Sequence, residues 1–192
     1  MPRLAPPRER ILAAADRLFT REGIRAVGID AILRESGCAK ATLYVHYHSK
    51  DGLIAAYLAA RAARLRERLG RDLRAVADPR VRPVAFFDVL AALTAEKDWR
   101  GDPLLGAAVE RCVGEPAQAE ALAEHRQWLG VLLEALAREA GAADPPRAGR
   151  QLLLLHDGVM AEAFYDNGPA AAAEAKAVAA ALIGQPSPST QA

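Results

Sequence analysis

Apolar residues recur at helical spacing almost from the start of the chain, where Ile11, Leu12, Ala15, Leu18 and Phe19 form one stripe between Pro6-Pro7 and Gly23. Proline suits the first helical positions, whose amide protons lack intrahelical partners, and glycine takes the left-handed conformation that closes a helix. The stripe predicts an amphipathic supporting helix. Ile29, Ile32 and Leu33 mark a second, short helix that stops at Ser36-Gly37, a pair suited to a tight helix-helix turn with positive φ. A third begins near Ala39 or Lys40 and spends only Leu43 and Tyr47 on its core side. Such a helix is built to present its outside. Ser49 can cap a fourth helix through its hydroxyl, with Asp51 favoured in the first turn by the positive helix end.

The same punctuation divides the rest. A long helix from Ser49 to Val76 carries Leu53, Ile54, Tyr57, Leu58, Leu65 and Leu69 and stops before Asp78-Pro79. Pro83 starts another through Glu96, Gly101-Asp102-Pro103 opens a short one, and Gly114-Glu115-Pro116 opens a long one running to Gly141. Asp144-Pro145 caps the next, which Asn167-Gly168 breaks, and Pro169 starts the last, ending near Gly184. No segment alternates as a strand does. The class is therefore all-α with about nine helices: a helix-turn-helix domain over residues 6–52, with its outward helix at about 39–47, a helical body over 53–184, and a frayed tail over 185–192.

Two surfaces of the body attract attention. Leu152 to Leu155 in succession make their helix apolar around most of its circumference, and the alanine-rich last helix allows close backbone approach. A four-helix interface between two copies is expected from them, through Leu152, Leu153, Leu155, Val159, Ala173, Ala177 and Ala180; an internal packing helix followed by a weakly amphipathic one is the alternative. On the middle helices, Phe86, Phe87, Trp99, Leu105, Val109, Cys112, His125, Trp128, His156 and Met160 are the bulky, polarisable and polar mix of a mostly apolar ligand cavity. Ordinary core packing accounts for the same residues, and a satisfied structural histidine for His125 and His156.

Charge sharpens the division. The chain of 192 residues carries a net charge of only +1, yet residues 1–77 hold 15 basic against 8 acidic side chains, and residues 78–192 hold 10 against 16. A basic head precedes an acidic body. Phosphate contacts supply most sequence-independent affinity for nucleic acid, so the head is the natural DNA face. Within it Lys40, Thr42, Tyr44, His46 and Lys50 can reach phosphates or base edges; Arg61, Arg64, Arg66, Arg68, Arg71 and Arg74 also fit plain solvation of a long helix. No apolar run reaches the ~20 residues that span a bilayer, and the N-terminus lacks a signal-peptide core, so a cytoplasmic protein without membrane contact is expected.

The head resembles the tetracycline-repressor-like (TetR) transcriptional regulators. The resemblance rests on Gly23, on Ile29-x-x-Ile32, on Gly37 to Lys50 read as Gly-hydrophobic-small-Lys-small-Thr-Leu-Tyr-x-His-aromatic-x-Ser-Lys, and on Leu53. It covers about the first third of the chain. It implies a homodimer that binds a palindromic double-stranded operator, with a variable ligand-binding body. Three positions depart from the pattern. Gly28 stands where the family commonly has a capping threonine that touches a phosphate, Ala39 replaces a frequent serine, and Ala41 a frequent glycine, which makes contact there apolar, for example with a thymine methyl. The DNA-contact set is thus Gly28, Lys40, Ala41, Thr42, Tyr44, His46 and Lys50.

The function expected is a sequence-specific regulator, in the main a homodimeric repressor released by a small apolar ligand. An effector-independent regulator or activator is the alternative. Catalysis is the competing class: His125, His156, Asp157 and Cys112 assemble on paper into a site, but no His-Glu-x-x-His, Gly-x-Ser-x-Gly or phosphate-binding glycine loop accompanies them. No enzyme activity, cofactor or metal site is expected. Cys38 and Cys112 lie far apart without metal-ligand spacing; Cys38 fits a buried thiol in the turn, and Cys112 fits a pocket wall.

Overall fold

The structure is a computed structural model and describes residues 5–97, 99, 101–109 and 116–184, of which Val109 is described by its backbone alone. Among the described residues there are nine α-helices and no strand. The described residues form two compact units, one of residues 5–64, 102–109 and 116–124, the other of residues 65–97, 99, 101 and 125–184.

In the first unit, α1 (Pro7–Glu22) has proline in its first turn and ends where Gly23, at φ 84°, donates its N–H to the Phe19 carbonyl. Its stripe Ile11, Ala14, Ala15, Leu18 and Phe19 is buried. α2 (Ile29–Ser36) ends at Gly37, left-handed at φ 61° and ψ 30°, as a tight turn requires. α3 (Lys40–Tyr47) buries only Leu43 and Tyr47. α4 (Lys50–Arg74) opens with Ser49 Oγ accepting the Gly52 N–H at 2.9 Å, so the cap sits where the hydroxyl was expected to place it. Gly52 is needed there, because a Cβ would collide with the Tyr47 carbonyl.

Ile11, Phe19, Ile32, Leu43, Leu53, Tyr57 and Leu58 make the core of this unit, with Phe19 edge-on to Tyr57 at 5.2 Å between ring centroids. Arg61 and Arg64 both reach Asp16, at 2.7 and 3.0 Å, and Arg61 also donates to Thr20. These arginines strap α4 to α1. Residues 53–64 therefore pack with the N-terminal helices. So do α6 (Pro103–Val109) and the start of α7 (Pro116–Glu139): Leu104 and Ala107 enter the same core, and Gln118 Nε2 donates to Asp51 Oδ1 at 3.0 Å.

The second unit takes the remainder of α4 and α7 together with α5 (Arg82–Thr94), α8 (Pro145–Ala163) and α9 (Gly168–Gly184). Phe86, Phe87, Leu90, Leu129, Leu133, Leu152 and Met160 fill it. Gly149 lets α8 lie against the α7 backbone, since a Cβ there would come within 2.8 Å of Glu134 N and Cα. Asp144 caps α8 by accepting the Arg147 N–H at 3.1 Å, and Lys176 of α9 pairs with Asp88 of α5 at 2.7 Å.

Candidate nucleic-acid interface

With Leu43 and Tyr47 turned inward, the other side of α3 is open. Lys40, Ala41, Tyr44, Val45 and His46 are exposed and Thr42 is half-buried. Tyr44 is 41% and Val45 71% exposed, so the two stand side by side on the outer face of α3. Val45 is the residue that sequence reading missed. The signal was present, because position 45 lies about 200° around the helix from Leu43, opposite the buried row.

The helix is held from behind. Tyr47 Oη donates to the Arg8 carbonyl at 2.7 Å, and the Arg8 guanidinium lies 5.8 Å from the centre of the Tyr47 ring. Burial raises the Tyr47 pKa above its ordinary value, while Arg8 opposes the shift and Glu9 adds to it, so the phenol stays protonated as a donor. Arg10 donates Nε and Nη2 to the Ser36 carbonyl at 3.1 and 2.6 Å, and Nη2 to the Gly37 carbonyl at 3.0 Å. That fixes the turn between α2 and α3. His48, just after α3, is one of two described non-glycine residues with positive φ, at 63°.

Two residues of the expected contact set lie outside α3. Lys50 is half-buried and its Nζ donates to the Ile24 carbonyl at 3.2 Å, so this amine braces the loop between α1 and α2. Gly28 precedes α2 in extended conformation, φ −87° and ψ 160°, with nothing within 4 Å of where a Cβ would stand. Space and backbone both admit a threonine. Cys38 is half-buried, with Sγ 3.6 Å from the Ser36 carbonyl oxygen; the full burial expected of it is not found, because the turn is at the surface.

The body residues sort by unit. Leu105 lies on α6 in the first unit; Phe86, Phe87, Trp99, His125, Trp128, His156 and Met160 lie in the second. Cys112 and the Val109 side chain fall outside the described residues. Phe86 meets Phe87 at 5.3 Å and His156 at 6.0 Å between ring centroids, while His125 stacks with Trp128 at 6.1 Å and Arg66 covers the Trp128 ring at 5.3 Å. The expected association surface needs a correction. Leu152 and Val159 are buried inside the protomer, at 0% and 1% exposure, and cannot meet a partner. The exposed row of α8 runs instead through Leu154, Gly158 and Ala161, with Leu153 and Leu155 half-buried at its flanks. Ala173, Ala177 and Ala180 of α9 are exposed, as is Val178.

A short helix fixed by its core side and open on its other, following a glycine turn from an equally short support helix, defines a helix-turn-helix DNA-binding protein. Comparison with known proteins agrees. Residues 11–57 match the signature of the bacterial regulatory proteins, tetR family. Over 140 residues the chain is 30% identical to the HTH-type transcriptional regulator LmrA of Bacillus subtilis, covering 71% of this chain and 74% of that one. It is 32% identical over 113 residues to the HTH-type transcriptional activator FasR of Mycolicibacterium smegmatis, covering 54% and 52% of the two chains. The crystal structure of a TetR-family transcriptional regulator from Streptomyces coelicolor superposes with a TM-score of 0.82 at 29% identity, over 92% of this chain and 94% of that one. This chain belongs to the TetR family and is a DNA-binding transcriptional regulator. No helix among the described residues is long and apolar enough to cross a membrane.

Proposed function

We propose that the protein is a homodimeric repressor that holds a palindromic operator in double-stranded DNA and releases it when a small, mostly apolar molecule binds its helical body. The observation that carries this reading is the outer face of α3. Lys40, Thr42, Tyr44 and His46 enter or flank the major groove, Ala41 and Val45 offer apolar contact to thymine methyls, and Lys50 and the Gly28 backbone face phosphates. Residues 6–52 act as the reading part, residues 53–184 as the ligand-binding and dimerisation part, and residues 185–192 as a tail. Binding to chromosomal DNA makes the cytoplasm its place of action.

Pairing runs through α8 and α9. Exposed Leu154, Ala173, Ala177, Val178 and Ala180 support this, because these helices keep apolar side chains outside after filling the core with Leu152, Val159, Ala172 and Ala175. A two-fold pair engages half-sites one helical turn apart, ~34–36 Å, which a single head cannot. The effector reaches the heads through α4, an unbroken helix of 25 residues that contributes to both units. A ligand that prefers one setting of α4 over another shifts operator affinity by the usual ~1–3 kcal/mol of coupling.

Footprinting on the DNA upstream of the protein's own coding region tests the reading. Two protected half-sites related by a dyad are expected; protection of one half-site, or none at any site tested, overturns it. The similarity to an activator gives a second reading. Transcription in vitro from the footprinted promoter separates them: occupancy that lowers transcript supports repression, and occupancy that raises it supports activation.

A further inference from the structure

The second unit contains a buried polar group that the reading surface does not use. His156 sits on the inner face of α8 with Leu152, Val159 and Met160, 3% exposed, against the Phe86 ring. Its Nδ1 lies 3.1 Å from Asp157 Oδ1, and the same carboxylate oxygen accepts a hydrogen bond from Arg126 Nη1 at 2.6 Å. Its Nε2 is also buried and has no hydrogen-bond partner among the described residues.

The protonation pattern follows from the partners. Asp157 is paired with a guanidinium and is a carboxylate, which only accepts hydrogen bonds, so the proton between it and the imidazole belongs to Nδ1. In the neutral ring Nε2 then carries a lone pair and accepts. A leucine would fill this apolar position without leaving a buried acceptor unmatched.

We propose that His156 Nε2 is the polar anchor of the effector site and that the effector is a mostly apolar molecule bearing a hydroxyl group, which donates to it. Three chemical alternatives fit less well. A carboxylate has no proton to offer Nε2, an ammonium brings an unpaired charge against Phe86 and Met160, and a pure hydrocarbon leaves Nε2 unsatisfied. Met160, unbranched and four residues along the same face, adapts its shape to what lies beside it. Asp157 and Arg126 are positioning residues: they set the tautomer and do not touch the ligand. The inference rests on the ligand-responsive reading above and is independent of how α3 reads DNA.

The full-length protein is titrated with two pairs of probes, 2-naphthol with 2-methoxynaphthalene and 1-decanol with its methyl ether, by calorimetry and by NMR of ¹⁵N-labelled histidine. The free protein should show His156 protonated on Nδ1 and bare on Nε2. A hydroxyl probe should shift the Nε2 resonance and bind at least tenfold more tightly than its ether. His156→Phe should abolish that preference and leave operator binding without probe unchanged. Asp157→Asn, at a partly exposed position, should mix the two tautomers and narrow the preference; it and the wild-type spectra decide the matter if His156→Phe does not fold. A proton on Nε2 in the free protein, equal binding within both pairs, or no binding by either hydroxyl probe overturns the proposal. Loss of operator binding by the wild type is a separate failure, of the DNA-reading assignment, and leaves the probe result standing.

Discussion

The guanidinium of Arg10 donates two hydrogen bonds to the carbonyl oxygen of Ser36, at 2.6 and 3.1 Å, across 26 residues of sequence. Ser36 is the last residue of α2, so the cation meets a carbonyl that has no helical partner, at the negative end of the helix dipole. A third bond, to Gly37, reaches into the turn itself. The angle at which α3 leaves α2 is thus set by a side chain of α1. Arg10→Ala should lower stability by about 2 kcal/mol, the ordinary size of a charge-assisted hydrogen-bond set at a partly buried carbonyl, and weaken operator binding beyond that loss. Denaturant melts beside binding titrations at a temperature where the variant is fully folded check both; unchanged stability would sink the account of the turn.

Tyr44 and Lys50 separate reading from bracing. Tyr44 is exposed, whereas Lys50 holds the Ile24 carbonyl. Tyr44→Ala should reduce operator affinity at least tenfold while the melting temperature and dimerisation stay as they are. Lys50→Ala should lose about as much affinity and about 1 kcal/mol of stability as well, and should reduce the slope of log K against log salt by about 0.9 per lost phosphate contact. Operator binding measured across a salt series distinguishes the two.

Gly28→Thr is expected to help. The site is extended and open, so the added side chain meets nothing, caps α2 with its hydroxyl, and removes backbone freedom from the unfolded chain. A gain of a few tenths of a kcal/mol or more in stability is expected from these two effects, with tighter operator binding from the added phosphate donor. A threonine that leaves affinity unchanged would place the phosphate elsewhere.

Leu152 and Leu154 are two residues apart on α8 and have opposite roles. Leu154→Arg puts a charge on the exposed row and should yield folded monomers in sedimentation experiments. Leu152→Ala removes core volume and should cost about 2–5 kcal/mol, with dimerisation of the folded protein retained. A dimer that survives Leu154→Arg would move the interface off this face.

Acid should reveal Asp157. Burial alone pushes its pKa up, but the hydrogen bonds from His156 and Arg126, and the guanidinium charge behind the second, hold the carboxyl at about 2. Because the folded value is depressed, the pair contributes its full stability above about pH 4, the unfolded value, and loses it as pH falls toward 2. Because solvent reaches Arg126 and part of Asp157 and screens the pair, the contribution is about 1 kcal/mol at neutral pH. Asp157→Asn should flatten that part of the stability curve; parallel curves for wild type and variant between pH 4 and 2 would exclude the mechanism.

Helix ends were legible because their chemistry is local. Pro7, Gly23, Gly37, Ser49 and Asp144 each act on residues within a turn of themselves, and each stands at the end it marks. Leu43 and Tyr47, four apart on a short helix, likewise disclosed which side of α3 faces in and hence which side faces out. From the chain alone, then, came the all-helical class, the punctuation of the helices and the outward face of α3, since periodicity and capping involve neighbours in sequence. Four consecutive leucines have no phase, so the inward turn of Leu152 and the outward turn of Leu154 came only from packing against α9 and α5. The joining of Leu104, Ala107 and Gln118 to the N-terminal unit, the reach of Arg10 to Ser36, and the alignment of Arg126, Asp157 and His156 are contacts between distant segments. Propensity does not encode these contacts, because their energy exists only once the core has brought the segments together.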